Sequence, residues 1–243
     1  MSSCVGERVG VFTGAHRRLL SPAMLTVHHL NNSRSQRVLW LLEELEVPYE
    51  IVKYQRDAKT NLAPPELQKI HPLGKSPVLT DGELTIAESA VILEYIVEKY
   101  GKGKLVPAAT APDYWRYRYF MHYAEGSLTP FLLLRLIVTK IRKVPFLVRP
   151  IANKIADQLD TMFVAPNLKR HVAFINDILT GSRYFAGDEF STADIQMSFP
   201  MEALSARYPD PPPRIKAWVA EIHERPAYKR ALERGGPYNM VSA

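Results

Sequence analysis

Three short stretches carry residues whose types and spacing suit the capture of an anionic, peptide-like molecule. The first is Asn31-Asn32-Ser33, which closes an apolar stretch, LTVHHL, and opens a helical one. A helix N-terminus presents unpaired N–H groups and about half a positive charge, so it stabilises an anion, a thiolate among them. A free thiol of pKa about 8.5 is only about 3% ionised at neutral pH, and lowering it by about two units takes about 2.7 kcal/mol of preference for the thiolate. Donors converging on one sulfur supply that. Ser33-Arg34-Ser35-Gln36 equally fits a capping box, in which the serine caps the helix and the glutamine bonds back.

The second stretch is Lys75-Ser76-Pro77. Proline opening a strand is tolerated where its missing N–H is not needed. A cis bond at Pro77 offers the N–H and C=O of Ser76 to an extended peptide, whereas a trans bond makes it an ordinary edge-strand proline. Lys75 either neutralises a ligand carboxylate or stays solvated. The third stretch is Glu88-Ser89 at the head of a helical pattern. The Ser89 hydroxyl and adjacent amides suit a carboxylate and Glu88 suits an ammonium, although both residue types are also common where helices start.

Regular elements must hold these groups. Residues 25–30 alternate as a half-buried strand, and Val38, Leu41, Leu42 and Leu45 place one apolar face on a helix over 34–46. Pro48 ends it, and 50–54 reads as a second strand, so the unit is βαβ with parallel pairing. A short helix around 65–70 leads to two strands joined at Asp81-Gly82, a strong hairpin signal. A second amphipathic helix covers 88–100. The fold expected over 24–102 is α/β in βαβ-ββα order, with a four-stranded mixed sheet and helices packed on it. A linker at 103–112 leads to an all-α region over 113–235, with helices near 112–140, 147–180, 191–205 and 213–224. Residues 1–23 form an extension outside the fold, without the continuous apolar core of a secretory signal, and 236–243 form a tail.

Composition narrows the function. Cys4 is the single cysteine, which excludes an internal disulfide framework and a cysteine cluster for zinc and agrees with a reducing cytoplasm. A net charge of +6 and a pI near 9.3 permit attraction to nucleic acid or membranes, but no basic run of five or six residues occurs. No nucleic-acid partner is therefore expected. The longest apolar stretch, 128–138, is broken by Pro130 and Arg135 and falls short of the about 20 residues a membrane span needs, so no membrane partner is expected either. Tyr114, Tyr117, Tyr123 and Glu125 share the first helix of the all-α region. Such an aromatic wall suits a flat apolar electrophile, or equally a core or an interface.

In combination these stretches resemble one family. LTVHHLNNSRSQRVLWLLEEL at 25–45, HPLGKSPVL at 71–79 and IAESAVILEYI at 86–96 are similar to the thioredoxin-like domain of the glutathione transferases. FAGDEFSTADI at 185–195 resembles that family's helical-domain motif, with an N-capping box at Ser191 and Asp194. HHLNNSRSQRVLWLLEEL and HYAEGSLTPFLL look like the serine-type bacterial and fungal branch, and the resemblance spans about 24–235.

The resemblance implies that Ser33 donates to the glutathione sulfur, with Asn32 and Ser35 as neighbouring alternatives. Lys75 would meet the glycyl carboxylate and Ser76 would pair, backbone to backbone, with the cysteinyl unit. Pro77 would be cis, and Glu88 with Ser89 would hold the γ-glutamyl end. The implied activity is attack of the thiolate on hydrophobic electrophiles in cytoplasmic detoxification, with glutathione-dependent peroxide reduction starting from the same thiolate. Glutathione is then a co-substrate, with no other cofactor and no metal. A protein that binds glutathione without turnover is the alternative. The absence of cysteine at the sulfur position tells against a glutaredoxin-like thiol transferase. The resemblance also implies a two-fold homodimer, for which the apolar run 131–138 offers a surface if it does not simply fill the core.

Overall fold

A computed structural model describes residues 24–236 and Tyr238; the extension expected over 1–23 lies outside the described residues. The first half contains β1 (Leu25–Leu30), α1 (Ser35–Glu44), β2 (Tyr49–Tyr54), α2 (Glu66–Ile70), β3 (Val78–Asp81), β4 (Leu84–Ala87) and α3 (Ser89–Tyr100). The sheet order is β2-β1-β3-β4. β1 pairs with β2 in parallel, Leu25 opposite Tyr49, and β3 runs antiparallel to both β1 and β4. At the β3–β4 turn Gly82 takes φ +62°, a conformation that costs a residue without a Cβ nothing. This is the mixed four-stranded sheet that the periodicity and turn chemistry predict, in the thioredoxin-like arrangement that the resemblance implies.

The second half is helical: α4 (Tyr114–Tyr123), α5 (Thr129–Ile141), α6 (Arg149–Leu159), α7 (Ala165–Gly181), α8 (Thr192–Arg207), α9 (Pro213–His223) and α10 (Pro226–Gly235). Where continuous helices are expected over 112–140 and 147–180, the chain instead passes through π-helical turns at Ala124–Leu128 and Asp160–Val164. Each turn leads into a helix with proline in its first turn, Pro130 in α5 and Pro166 in α7. Proline cannot donate to the carbonyl four residues back, so the ladder widens just before it. None of the described helices is long and apolar enough to cross a membrane.

Helix α1 is buried nearly all round. Val38, Leu39, Trp40, Leu41 and Leu42 are all fully buried, because the sheet, α3, α8 and α10 enclose the helix. α10 is not expected from periodicity, since only Ala227, Tyr228 and Ala231 of its side chains bury. Its charges dock it instead. Arg230 and Arg234 bond Glu43, and Arg225 just ahead of the helix bonds Glu44 through Nε at 2.6 Å. The tail expected beyond 235 contributes Tyr238, whose hydroxyl donates to buried Glu202 at 2.5 Å.

The capping box of α8 forms as read. Asp194 Oδ2 accepts from the Ser191 N–H at 2.9 Å, and Oδ1 accepts from the Phe185 N–H at 2.9 Å. Burial raises the Asp194 carboxyl to about 6, against the pull of these donors.

Candidate functional site

The turn after β1 is built from asparagines. Asn32 sits at φ +50°, a conformation asparagine tolerates, and Asn31 Oδ1 accepts from the Arg56 N–H at 2.8 Å. Ser33 follows, and α1 begins two residues later. The capping box read at Ser33 and Gln36 does not form: Arg34 occupies the cap position and both polar atoms of the buried Gln36 side chain lack partners. Ser33 Oγ instead accepts from the Ser35 N–H at 3.2 Å and lies 2.7 Å from Ser35 Oγ. Ser35 Oγ in turn lies 2.9 Å from His29 Nδ1. A three-member chain thus runs from His29 through Ser35 to Ser33. Burial pushes the His29 imidazole down to about 4, helped by the nearby Lys53 charge, so it is neutral at physiological pH.

The direction of this chain depends on one proton. If His29 carries its hydrogen on Nδ1, it donates to Ser35, Ser35 donates to Ser33, and the Ser33 proton is free for an outside acceptor. The other tautomer spends the Ser33 proton on Ser35.

Lys75, Ser76, Pro77, Glu88 and Ser89 line one cleft of about 240 Å³, together with Arg34, His71 and Glu125. The sheet brings them there: β3 carries the proline entry alongside β1, and β4 delivers the chain to the N-terminus of α3. The Ser76–Pro77 peptide is cis. Pro77 has no N–H, and the Ser76 hydroxyl gives β1 a side-chain partner instead. It donates to the His28 carbonyl at 2.8 Å and accepts from the Leu30 N–H at 3.2 Å. Glu88 sits at φ +70°, ψ 123°, a strained conformation for a residue with a Cβ. Ser89, buried at 4% exposure, starts α3, whose first-turn amides lie beyond the helix's own ladder.

Ser33 is buried and is not among the residues lining this cleft. Arg34, which sequence reasoning passed over, is. Glu125 lines the cleft too, but as the partner of two arginines. Arg34 Nε donates to both its oxygens at 3.0 Å, and an Nη of Arg37 donates at 2.6 Å. Burial alone would raise the Glu125 carboxyl, but the Arg37 and Arg34 charges overcome it and hold the carboxyl below its usual range. A signal for this existed: two arginines in the first turn of a helix oppose its dipole and call for an anion.

The tyrosines go elsewhere. Tyr117 and Tyr123 are 2% and 5% exposed and belong to the main core, and the Tyr123 hydroxyl meets His171 Nδ1 at 2.5 Å. Tyr123 also edges a separate open pocket of about 560 Å³ with Trp115, Tyr119 and His122. Tyr114 packs edge-on to Trp115 and tilted against Tyr117, and lines neither space. No cluster of His, Cys, Asp or Glu able to hold a metal occurs among the described residues.

A thioredoxin-like α/β half with a cleft at a cis-proline and a helix N-terminus, followed by a helical bundle, defines a fold class. Comparison with known proteins narrows it. The family described as glutathione S-transferase, N-terminal domain, matches residues 23–98, and the corresponding C-terminal domain matches 143–226. Glutathione S-transferase 3 of Schizosaccharomyces pombe is 37% identical over 87% of this chain and 88% of its own length. Glutathione S-transferase 1 of Saccharomyces cerevisiae is 34% identical over 88% and 97%. The crystal structure of a glutathione S-transferase from Actinobacillus pleuropneumoniae superposes with a TM-score of 0.72 at 28% identity, covering 90% of this chain and 97% of that one. The chain belongs to the glutathione S-transferase family.

Proposed function

We propose that this protein is a glutathione transferase that binds glutathione in the cleft between Lys75 and Glu88 and delivers its sulfur, as the thiolate, to hydrophobic electrophiles. The observation that carries the reading is the charge layout of that cleft. Glutathione has a carboxylate at each end and one ammonium. Lys75 faces one carboxylate. The α3 amides and the Ser89 hydroxyl suit the γ-glutamyl carboxylate, Glu88 suits the ammonium beside it, and the Ser76 backbone suits the cysteinyl unit. The names of the fungal relatives support the same activity. Residues 24–102 are then the glutathione-binding domain and 113–235 the helical domain across the 103–112 linker. Cytoplasmic detoxification, conjugation with peroxide reduction as a second outlet, glutathione as the only cofactor-like molecule and a two-fold homodimer complete the reading.

Ser33 is the assigned donor to the sulfur, in the serine-type manner, with its proton freed by the Nδ1–H tautomer of His29 acting through Ser35. Arg34 supports a second reading, because its guanidinium reaches the cleft wall where Ser33 does not. The electrophile is assigned to the helical wall at Glu125 and the neighbouring pocket edged by Tyr123; Tyr114 and Tyr117 are left to packing.

Steady-state conjugation of glutathione to a chlorodinitrobenzene, together with calorimetric glutathione binding, tests these assignments. Ser33→Ala is expected to lower kcat at neutral pH about 10²-fold with little change in affinity, the usual effect of losing one donor to a developing or bound anion. An unchanged rate across pH 6–8 would move the role to Arg34, Asn32 or Ser35. Glutathione binding without turnover on any electrophile would favour the binding-protein alternative.

A further inference from the structure

We propose that the tip of the α5–α6 hairpin is a docking surface for an anionic lipid bilayer, which it contacts in the interface plane without crossing it. Between the two helices the chain makes a short 3₁₀ turn, Phe146–Val148, that holds three apolar side chains outward. Phe146 is 79% exposed, Leu147 88% and Val148 50%, and Ile151 and Ile155 on the following turns of α6 are 69% and 57% exposed. The fold does not need them. The hairpin fills its own satellite core with Val138 of α5 and Ala156 of α6, packed with Val164 and Leu168. α6 thus carries one apolar side for the protein and a second, Ile151 and Ile155 one turn apart, for something else. An exposed apolar patch of this kind marks an interaction site.

The charge around the patch selects the partner. From Gly126 to Ala156 the only charged residues are Arg135, Lys140, Arg142, Lys143, Arg149 and Lys154, and none is acidic. The nearest acids along the chain, Asp157 and Asp160, are already bonded to Arg142 and Arg135. Lys140, Lys143 and Lys154 are exposed and form no ion pair among the described residues, and they flank the apolar tip in sequence. Apolar side chains interleaved with unpaired cations are what an interfacial segment presents to anionic headgroups: the apolar tip enters the headgroup boundary and the lysines stay at the charged surface. A protein interface core is instead depleted of lysine. A second copy of this chain would set Lys140, Lys143 and Lys154 against their own equivalents, a like-charge arrangement that opposes pairing. Nucleic acid would use the cations and leave Phe146 and Leu147 in water. The absence of a membrane-spanning helix does not bear on a surface contact of this sort.

The test is co-sedimentation of the full chain with vesicles of phosphatidylcholine alone and of phosphatidylcholine mixed with phosphatidylserine, at low and at physiological salt. Binding is expected to the phosphatidylserine vesicles, weaker at higher salt as the charges are screened, with little to phosphatidylcholine alone. Two double variants, Phe146→Ser with Leu147→Ser and Lys140→Glu with Lys143→Glu, should each reduce that binding about 10-fold or more, since each removes one of the two attractions. Both should keep glutathione conjugation in solution, because none of the four residues lines the cleft; retained turnover also shows that the variants fold. Equal binding to the neutral and mixed vesicles, no binding to either, or a fall in oligomeric mass in the Phe146/Leu147 variant would overturn the proposal, the last by showing that a second copy covers the tip.

Discussion

Glu125→Gln removes the one anion shared by Arg34, at the cap of α1, and Arg37, in its first turn, and its cost follows from their burial. The Arg37 side chain is 2% exposed, that of Glu125 30% and that of Arg34 38%. Breaking a fully buried ion pair by neutralising one partner costs about 3–5 kcal/mol, because the other charge is left stranded. Two features soften this here. Glu125 keeps some water, and Arg37 keeps its bond to the Gln196 carbonyl at 2.6 Å and lies near the Phe199 ring. The expected loss is therefore about 2–3 kcal/mol. Arg34→Gln should cost less than about 1 kcal/mol, as exposed pairs do. With a urea slope of about 2 kcal/mol/M, Glu125→Gln lowers the unfolding midpoint by about 1 M or slightly more at unchanged slope. A double-mutant cycle should give a larger coupling for Glu125 with Arg37 than with Arg34. The sign with pH is also set: Glu125 is held below its ordinary pKa, so its contribution is complete above the unfolded carboxyl range and is lost as pH falls through the lowered folded value. A loss below about 1 kcal/mol, or an equal cost for Arg34→Gln, would refute the view that Arg37 needs Glu125.

Three further predictions concern single groups. Asp194→Ala strands the buried Phe185 and Ser191 amides and should cost about 2–3 kcal/mol in thermal or urea unfolding, whereas a change within experimental error would show that water takes its place. Ser35→Ala cuts the chain between His29 and Ser33 and should lower kcat at neutral pH by less than Ser33→Ala does, about 10-fold, with the KM for glutathione unchanged; a rise in KM alone would assign Ser35 to binding. His29, pushed down to about 4 by burial, makes the fold less stable as pH falls from about 6.5 towards 4, because the unfolded chain takes up the proton first. Between pH 7 and pH 5 that amounts to about 2 kcal/mol, partly offset by Asp194, whose raised value works in the opposite direction. His29→Gln should remove this component of the pH dependence, and an unchanged profile would contradict it.

What could be read in the chain alone was whatever a few neighbouring residues decide among themselves. The strand over LTVHHL, the Asp81-Gly82 turn and the Ser191–Asp194 box depend on backbone geometry within one turn or strand, and they form as read, except that the strand buries both its faces where alternation predicts one. The same locality located Ser76-Pro77 and Glu88-Ser89 at a strand entry and a helix start. It fell short where two local solutions competed. Ser33-Arg-Ser-Gln36 has the pattern of a capping box, yet burial of Gln36 under α10 and the pull of Ser35 and His29 on the Ser33 hydroxyl settle the matter otherwise. The π-turns before Pro130 and Pro166 were written in the prolines, but the helical period on either side concealed them. Glu125 read as a wall residue, but its ion pairs could not be read, because Arg34 and Arg37 lie at the head of α1, 91 and 88 residues away. For Tyr117 and Tyr123 cleft, core and interface stayed open, because helical spacing shows which residues share a face but not what that face meets. Periodicity is a property of one helix, whereas burial, ion pairing and the shape of a cleft belong to surfaces that exist only after the sheet and the helical bundle have packed together.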